Sequence, residues 1–432
     1  MRFRLPVESL RPILRPQNVS ERNVRNVLVD GVGVGLVVGI SQFLPVFLAR
    51  LGASSVLIGL ITSLPALTGA LLAVPVSRFL ERQRNIVPWY SGMRFWVLLS
   101  YVIFGLLPFL FPLSYIPVLV IGIWALVTIP STFVNVAFTV VMGGVAGPSR
   151  RFYLMSLRWS SLGITTAISV TLAGQLLNRI AFPLNYQIVF IGSFVGGLLS
   201  FLFSRSITLP DNPPLVEPPQ PTAARSSWRS RLSSAIGGLS SMPPLFARFV
   251  WSSFLFRCGV AMALPLFPLY WVRQVQASDA WIGTINTANS AVLLIAYFVW
   301  SQLVRRRSVG WVLIASSLGM ACYPLLAATT TNLWALVLFA GLAGFASAGN
   351  DLVTFDLVLS SAPKEHQTVY VGLYQTMQNL ALFMMPLVGT LLGDALGYST
   401  ALLVAGGVRL CGALLYMALR IGYKQPQAVE AV

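Results

Sequence analysis

Apolar residues fill this chain in runs too long for the core of a soluble domain. A helix rises about 1.5 Å per residue, so roughly 20 apolar residues carry it across the ~30 Å hydrocarbon layer of a bilayer. Runs of that order recur at 24–49, 55–79, 87–109, 115–143, 153–177 and 183–204, and again at 245–272, 280–303, 309–330, 332–360, 368–393 and 398–420. Thr329-Thr330-Thr331-Asn332 marks the break between the ninth and tenth. Backbone polar groups in lipid must be satisfied within the protein, which leaves helices or closed barrels. Barrel strands alternate over about 10 residues, and these runs are too long for that. The pattern predicts an all-α membrane protein with twelve transmembrane helices.

One polar stretch is long enough to divide the chain. Residues 206–243 hold Pro210, Pro213, Pro214, Pro218, Pro219 and Pro221, then Arg225, Arg229 and Arg231 among serines. The expected organisation is a tail at 1–23, a six-helix half at 24–205, a linker at 206–243, a second six-helix half at 244–421 and a tail at 422–432. Within the linker, Trp228 to Leu239 reads either as a basic amphipathic helix on the membrane surface or as a tether.

The two halves resemble each other. Ile58-Gly59-Leu60-Ile61-Thr62 aligns with Ile282-Gly283-Thr284-Ile285-Asn286 at a separation of 224 residues, which also pairs Ser77 with Ser301 and Arg82 with Arg306. Pro45, Phe47 and Arg50 align with Pro268, Tyr270 and Arg273 at 223. Further on the separation is 215, pairing Asn135 with Asn350, Pro148 with Pro363 and Gly174 with Gly389. Constant separations across polar and proline positions point to two pseudo-symmetric halves rather than to chance.

Composition agrees. Residues of the AVILMFWYC class make up 56% and charged residues only 9%, with a mean hydropathy of +0.77; a soluble domain carries about 25% charge. The net charge of +17 would suggest nucleic acid in a soluble protein. Here the basic residues sort by side instead. Twenty-one, from Arg2 to Lys424, flank one face of the predicted spans, and only Arg50, Arg179 and Arg273 flank the other. By the positive-inside rule both termini and the linker are cytoplasmic, facing an anionic inner leaflet of the cell membrane, and no nucleic-acid partner is expected. The Arg- and Pro-rich first 23 residues lack the apolar core of a cleaved signal peptide. Cys258, Cys322 and Cys411 lie in apolar runs without ligand spacing, and the single histidine, His366, lies in a polar loop. No metal site and no cofactor are expected.

The loop after the second span reads Ser77-Arg78-Phe79-Leu80-Glu81-Arg82-Gln83-Arg84-Asn85. With span count, linker and repeat, it resembles the major facilitator superfamily, whose pattern there is Gly-x-x-x-Asp-Arg-x-Gly-Arg-Arg/Lys. Ser77 stands for the first glycine, Glu81 for the aspartate, and Arg82 is kept; Arg84 and Asn85 depart from the pattern. Ser301-Gln302-Leu303-Val304-Arg305-Arg306-Arg307 echoes it after the eighth span. The resemblance implies a monomer that carries a small-molecule substrate by alternating access, its halves rocking about a site near the midplane. For Ser77, Glu81, Arg82, Ser301 and Arg306 it implies a cytoplasmic latch made in one state and released in the other; the plainer reading is that these arginines only set topology. Two elements typical of the family's proton-coupled drug exporters are absent: an arginine in span four and a Gly-Pro pair in span five.

Ionisable groups inside spans are costly and mark candidate sites. Asp30, Asn135, Arg257 and Asn350-Asp351 fall on spans one, four, seven and ten, which line the central cavity in the family. Asp30 or Asp351 could exchange a proton as the cavity opens to either side; the alternative is a static pair such as Asp351 with Arg257, or Asp30 at a helix end. Asn286, Asn289, Gln375, Gln378 and Asn379 make spans eight and eleven polar, as cavity lining or as hydrogen bonds between helices. Arg94 and Arg158 are expected to snorkel to the interface, and Arg409 needs a buried partner that the sequence does not name. No His-Glu-x-x-His, Gly-x-Ser-x-Gly or phosphate-binding lysine loop suggests an enzyme. Proton-coupled transport in either direction, uncoupled facilitated transport, and a sensor or scaffold on the same fold remain the readings.

The charge asymmetry yields a first test. A cysteine placed at Ser226 should react with a membrane-impermeant maleimide only after cells are permeabilised; labelling of intact cells would reverse the topology.

Overall fold

The computed structural model describes residues 16–209, 243–361 and 367–423. Most of the linker, both outer tails and His366 lie outside the described residues. The described chain forms α1 (Val19–Ser41), α2 (Leu44–Arg50), α3 (Ser55–Glu81), α4 (Val87–Leu110), α5 (Ile116–Arg179), α6 (Leu184–Arg205), α7 (Pro244–Leu269), α8 (Asp279–Arg306), α9 (Val309–Ala327), α10 (Leu333–Ser361), α11 (Gln367–Leu396) and α12 (Tyr398–Ala418). Twelve segments are long and apolar enough to cross a membrane, so this is a multi-pass membrane protein. Large apolar side chains such as Trp96, Leu110 and Trp334 are exposed on its surface, as a lipid-facing exterior requires.

Two spans differ in detail from the expectation. The first is two helices, α1 and α2, because Pro45 in the first turn of α2 has no N–H to continue the ladder from α1. The polar break expected between spans four and five is itself helical, and α5 runs unbroken from Ile116 to Arg179. Helix starts follow local chemistry. Asn18 Oδ1 accepts from the Glu21 amide at 2.8 Å, and Ser308 Oγ from the Trp311 amide at 3.2 Å, satisfying amides that have no intrahelical acceptor.

The chain packs as two units. The first holds the described residues up to 209 together with Trp271–Thr287; the second holds 243–270 and 288–423. In the first, α1 packs against α5 and α6, and α4 against α5 and α6. Close approach requires glycine on α1: a Cβ on Gly33 would lie 2.6 Å from the Gly196 carbonyl oxygen, and one on Gly35 2.6 Å from that of Leu162. The glycine stripe on α1 is therefore a helix-packing face. In the second unit α7 packs against α11 and α12, and α9 against α10 and α12, around a core that includes Phe246, Phe249, Trp300 and Tyr416.

Residues 271–287 follow the linker in sequence but pack with the first unit, and hydrogen bonds explain why. Arg50, at the end of α2, donates to the Ala277 carbonyl at 2.6 Å and pairs with Asp279 Oδ1 at 3.0 Å. Tyr186 donates to the same carboxylate oxygen at 2.9 Å. In return Arg273 donates to Ser55 Oγ at 2.9 Å and to the Ala53 carbonyl. Arg50 aligns with Arg273 at a separation of 223, and the separation of 224 that begins just after aligns Ala53 with Ala277 and Ser55 with Asp279. Each arginine thus grips the loop that follows the other, and the sequence repeat becomes a reciprocal clamp.

Candidate functional site

Helices α7, α10 and α11 of the second unit carry polar residues onto one cavity of about 320 Å³. Arg257 comes from α7, Asn350, Asp351 and Thr354 from α10, and Gln375, Gln378 and Asn379 from α11, with Ser253, Tyr374 and Tyr416 completing the polar lining. Phe256, Val260, Met320 and Leu382 supply apolar wall. Six of the residues singled out in the sequence therefore converge: Arg257, Asn350, Asp351, Gln375, Gln378 and Asn379.

Their partners differ. Asn350 Nδ2 donates to Ser317 Oγ at 2.9 Å, which ties α10 to α9. Asp351 is exposed to the cavity and accepts from the Tyr297 hydroxyl at 3.2 Å. Tyr416 donates to Ser253 Oγ at 3.0 Å. Arg257 is half-buried and, among the described residues, forms no ion pair; its Nε is buried without a hydrogen-bond partner. Gln378 is 9% exposed, and its Nε2 is likewise unpartnered. Arg257 and Asp351 thus share a cavity without the contact pair weighed above.

Asp30 does something else. It is wholly buried in the first unit and holds three helices to its own. Arg94 of α4 reaches its two oxygens at 2.5 and 2.6 Å, Arg158 of α5 reaches Oδ2 at 3.1 Å, and Ser200 of α6 donates to Oδ1 at 2.6 Å. Arg94 and Arg158 do not snorkel, contrary to expectation. They are 5% and 2% exposed, stacked over the rings of Tyr90 and Phe138 at 4.3 and 4.6 Å. The physical reason is that a carboxylate buried nearby offers a stronger partner than the interface does. Asp30 is thus the centre of a buried ion-pair cluster.

Other candidates fall outside the cavity. Asn135 is exposed on α5, and Asn286 is half-buried on α8 in the first unit. Asn289 donates to the Ala340 carbonyl at 3.0 Å, so it joins α8 to α10 rather than lining the cavity. Arg409 finds its buried partners in three backbone carbonyls, those of Gly259, Met320 and Val260, at 3.2, 3.1 and 3.4 Å. Ser77 and Ser301 are half-buried, while Arg82 and Arg306 are exposed. The Glu81 side chain lies outside the described residues. Sequence reasoning missed Asp279 and Tyr186, although the alignment of Ser55 with Asp279 was available to point at the first.

Twelve membrane-spanning helices among the described residues, with a polar cavity walled by three of them, define a polytopic membrane protein. Residues 249–431 match the model of the Major Facilitator Superfamily. The match is carried by the second half of the chain. It is similar to the Staphyloferrin B transporter of Staphylococcus aureus, 28% identical over 168 residues that cover 36% of this chain and 38% of that protein. It is also similar to the Multidrug resistance protein MdtG of Serratia proteamaculans, 27% identical over 36% of this chain and 39% of that one. These alignments span about two fifths of the relatives' length. Among solved structures, a POT family transporter in complex with 5-aminolevulinic acid has the same fold, with a TM-score of 0.71 at 10% identity over 91% of this chain and 94% of that one. So does a D-xylose-proton symporter, with a TM-score of 0.65 at 12% identity over 92% and 96%.

The Asp30 cluster gives the second test. Asp30→Asn leaves two buried guanidinium groups without a counter-charge and should lower unfolding stability by about 3–5 kcal/mol. Thermal unfolding of the purified protein measures it; an unchanged midpoint would mean that the cluster does not hold the helices.

Proposed function

We propose that the protein is a secondary transporter that moves a small organic solute across the membrane by alternating access, and that the cavity of the second unit is its solute site. The observation that carries the reading is the convergence of Arg257, Asp351 and four carboxamides from α7, α10 and α11 on one cavity within membrane-spanning helices. Buried polar groups in a bilayer are retained where they bind something or bind each other, and several of these bind nothing in the protein. At about 320 Å³ the cavity sits at the small end of the ~300–1,000 Å³ range of ligand sites. The match of residues 249–431 to the Major Facilitator Superfamily model favours a transporter over an enzyme, and the relatives named for multidrug resistance and for staphyloferrin B favour export.

In this reading the proton-coupling carboxylate is Asp351, not Asp30. Asp351 is exposed to the solute cavity, whereas both oxygens of Asp30 are engaged by two arginines and a serine. The reciprocal arginine clamp is the closed latch on one side of the membrane. The segments around Ser77, Glu81 and Arg82 and around Ser301 and Arg306 serve the other, cytoplasmic, side.

Proteoliposomes loaded with a defined mixture of small organic acids, amines, amino acids and sugars provide the test. A proton gradient should drive net movement of a subset of these, read by mass spectrometry. Leu382→Trp, which fills the cavity from its apolar wall, should abolish that movement in a protein of wild-type melting temperature. Asp351→Asn should remove gradient-driven movement while leaving solute exchange. Flux unchanged by Leu382→Trp would contradict the assignment of the site.

A further inference from the structure

Among the described residues, the cation that lines the cavity has no hydrogen-bond or ion-pair partner. Arg257 cannot discard its proton at any accessible pH, so its guanidinium stays cationic and offers donors only. Every other arginine resolved here within a span core has partners: Arg94 and Arg158 share Asp30, and Arg409 is held by three carbonyls. Arg257 lines the cavity with its Nε buried and unpartnered, and Gln378 adds a second buried nitrogen without an acceptor.

The groups around Arg257 do not supply that acceptor. Tyr416 directs its hydroxyl to Ser253, and Asn350 is engaged with Ser317 and Thr354. Asp351, the one carboxylate lining the cavity, accepts from Tyr297 on α8 and makes no ion pair with Arg257. What Arg257 lacks, among the described residues, is a negatively charged acceptor in contact with its planar fork of donors. A carboxylate has that shape and is the usual bidentate partner of arginine.

We infer that the solute is an organic anion whose carboxylate seats against Arg257, with Gln378 as a second donor. The inference rests on the cavity being the solute site, and it adds the charge and headgroup of what enters. It also assigns opposite roles to the two ionisable residues: Arg257 attracts the solute, and Asp351 opposes it while ionised. Removing the Asp351 charge should therefore strengthen carboxylate binding, the reverse of what a cationic or zwitterionic solute predicts.

The experiment measures melting temperature of the purified full chain in lipid nanodiscs against matched probes. Benzoate, succinate and citrate are compared with benzamide and succinamide, and with benzyltrimethylammonium as the cation. Carboxylates should raise the melting temperature and their amides should not. Arg257→Gln should weaken carboxylate binding by about tenfold or more, the loss expected for a charge-assisted hydrogen bond. Arg257→Lys should recover part of it, and Asp351→Asn should tighten it. Amides or the cation binding in a manner blocked by Leu382→Trp, with carboxylates inert, would keep the cavity as the site and overturn the charge assignment. Carboxylate binding that survives both Leu382→Trp and Arg257→Gln would move the site elsewhere and overturn both readings. A carboxylate series without any effect on stability, or weakened by Asp351→Asn, would also overturn the inference.

Discussion

A charge placed among lipid-facing helices must find its answer inside the protein, and much of this structure follows from where each charge finds it. Asp30 is answered by Arg94, Arg158 and Ser200, which brings α1, α4, α5 and α6 onto one buried carboxylate. The glycines on α1 let α5 and α6 come close enough for those bonds, since a Cβ at Gly33 or Gly35 would overlap a facing backbone oxygen. Electrostatics and packing are therefore one requirement, met on a single helix face. Arg409 is answered differently, by carbonyls of α7 and α9, and a Cβ on Gly259 would lie 2.6 Å from the Arg409 amide nitrogen.

The repeat explains the second organising feature. The sequence repeat places Arg50 and Arg273 at matching positions, and each reaches the loop that follows the other. The exchange moves Trp271–Thr287 into the first unit. The equivalence is incomplete where it matters: the position that is Ser55 in one loop is Asp279 in the other. The clamp therefore has an ion pair on one side, reinforced by Tyr186, and on the other hydrogen bonds from Arg273 to Ser55 and the Ala53 carbonyl.

What could be read from the sequence follows the range of the interaction. Span count depends on local hydrophobicity, and twelve spans were legible at nearly their full lengths. The family pattern and the repeat were legible because they are written in fixed separations. Six cavity residues could be named because intramembrane polarity is itself unusual, and α7, α10 and α11 bring them together. Pairings were not legible. Arg94 and Arg158 lie 64 and 128 residues from Asp30, and nothing local distinguishes an arginine that reaches inward from one that reaches the interface. The three carbonyl partners of Arg409 carry no sequence signal at all. Asn289 and Asn350 look alike in sequence and both join helices, yet only Asn350 also lines the cavity, because helix rotation decides it.

The central claim is that Arg257 is held for a ligand while the other buried charges hold the fold. An unanswered charge costs stability, and replacing it with an apolar side chain of similar length should relieve that cost. The direct measurement is the melting temperature of Arg257→Met in lipid nanodiscs without added solute. The account predicts a midpoint at or above that of the unsubstituted protein, and a clear fall would contradict it by showing that Arg257 has a structural partner.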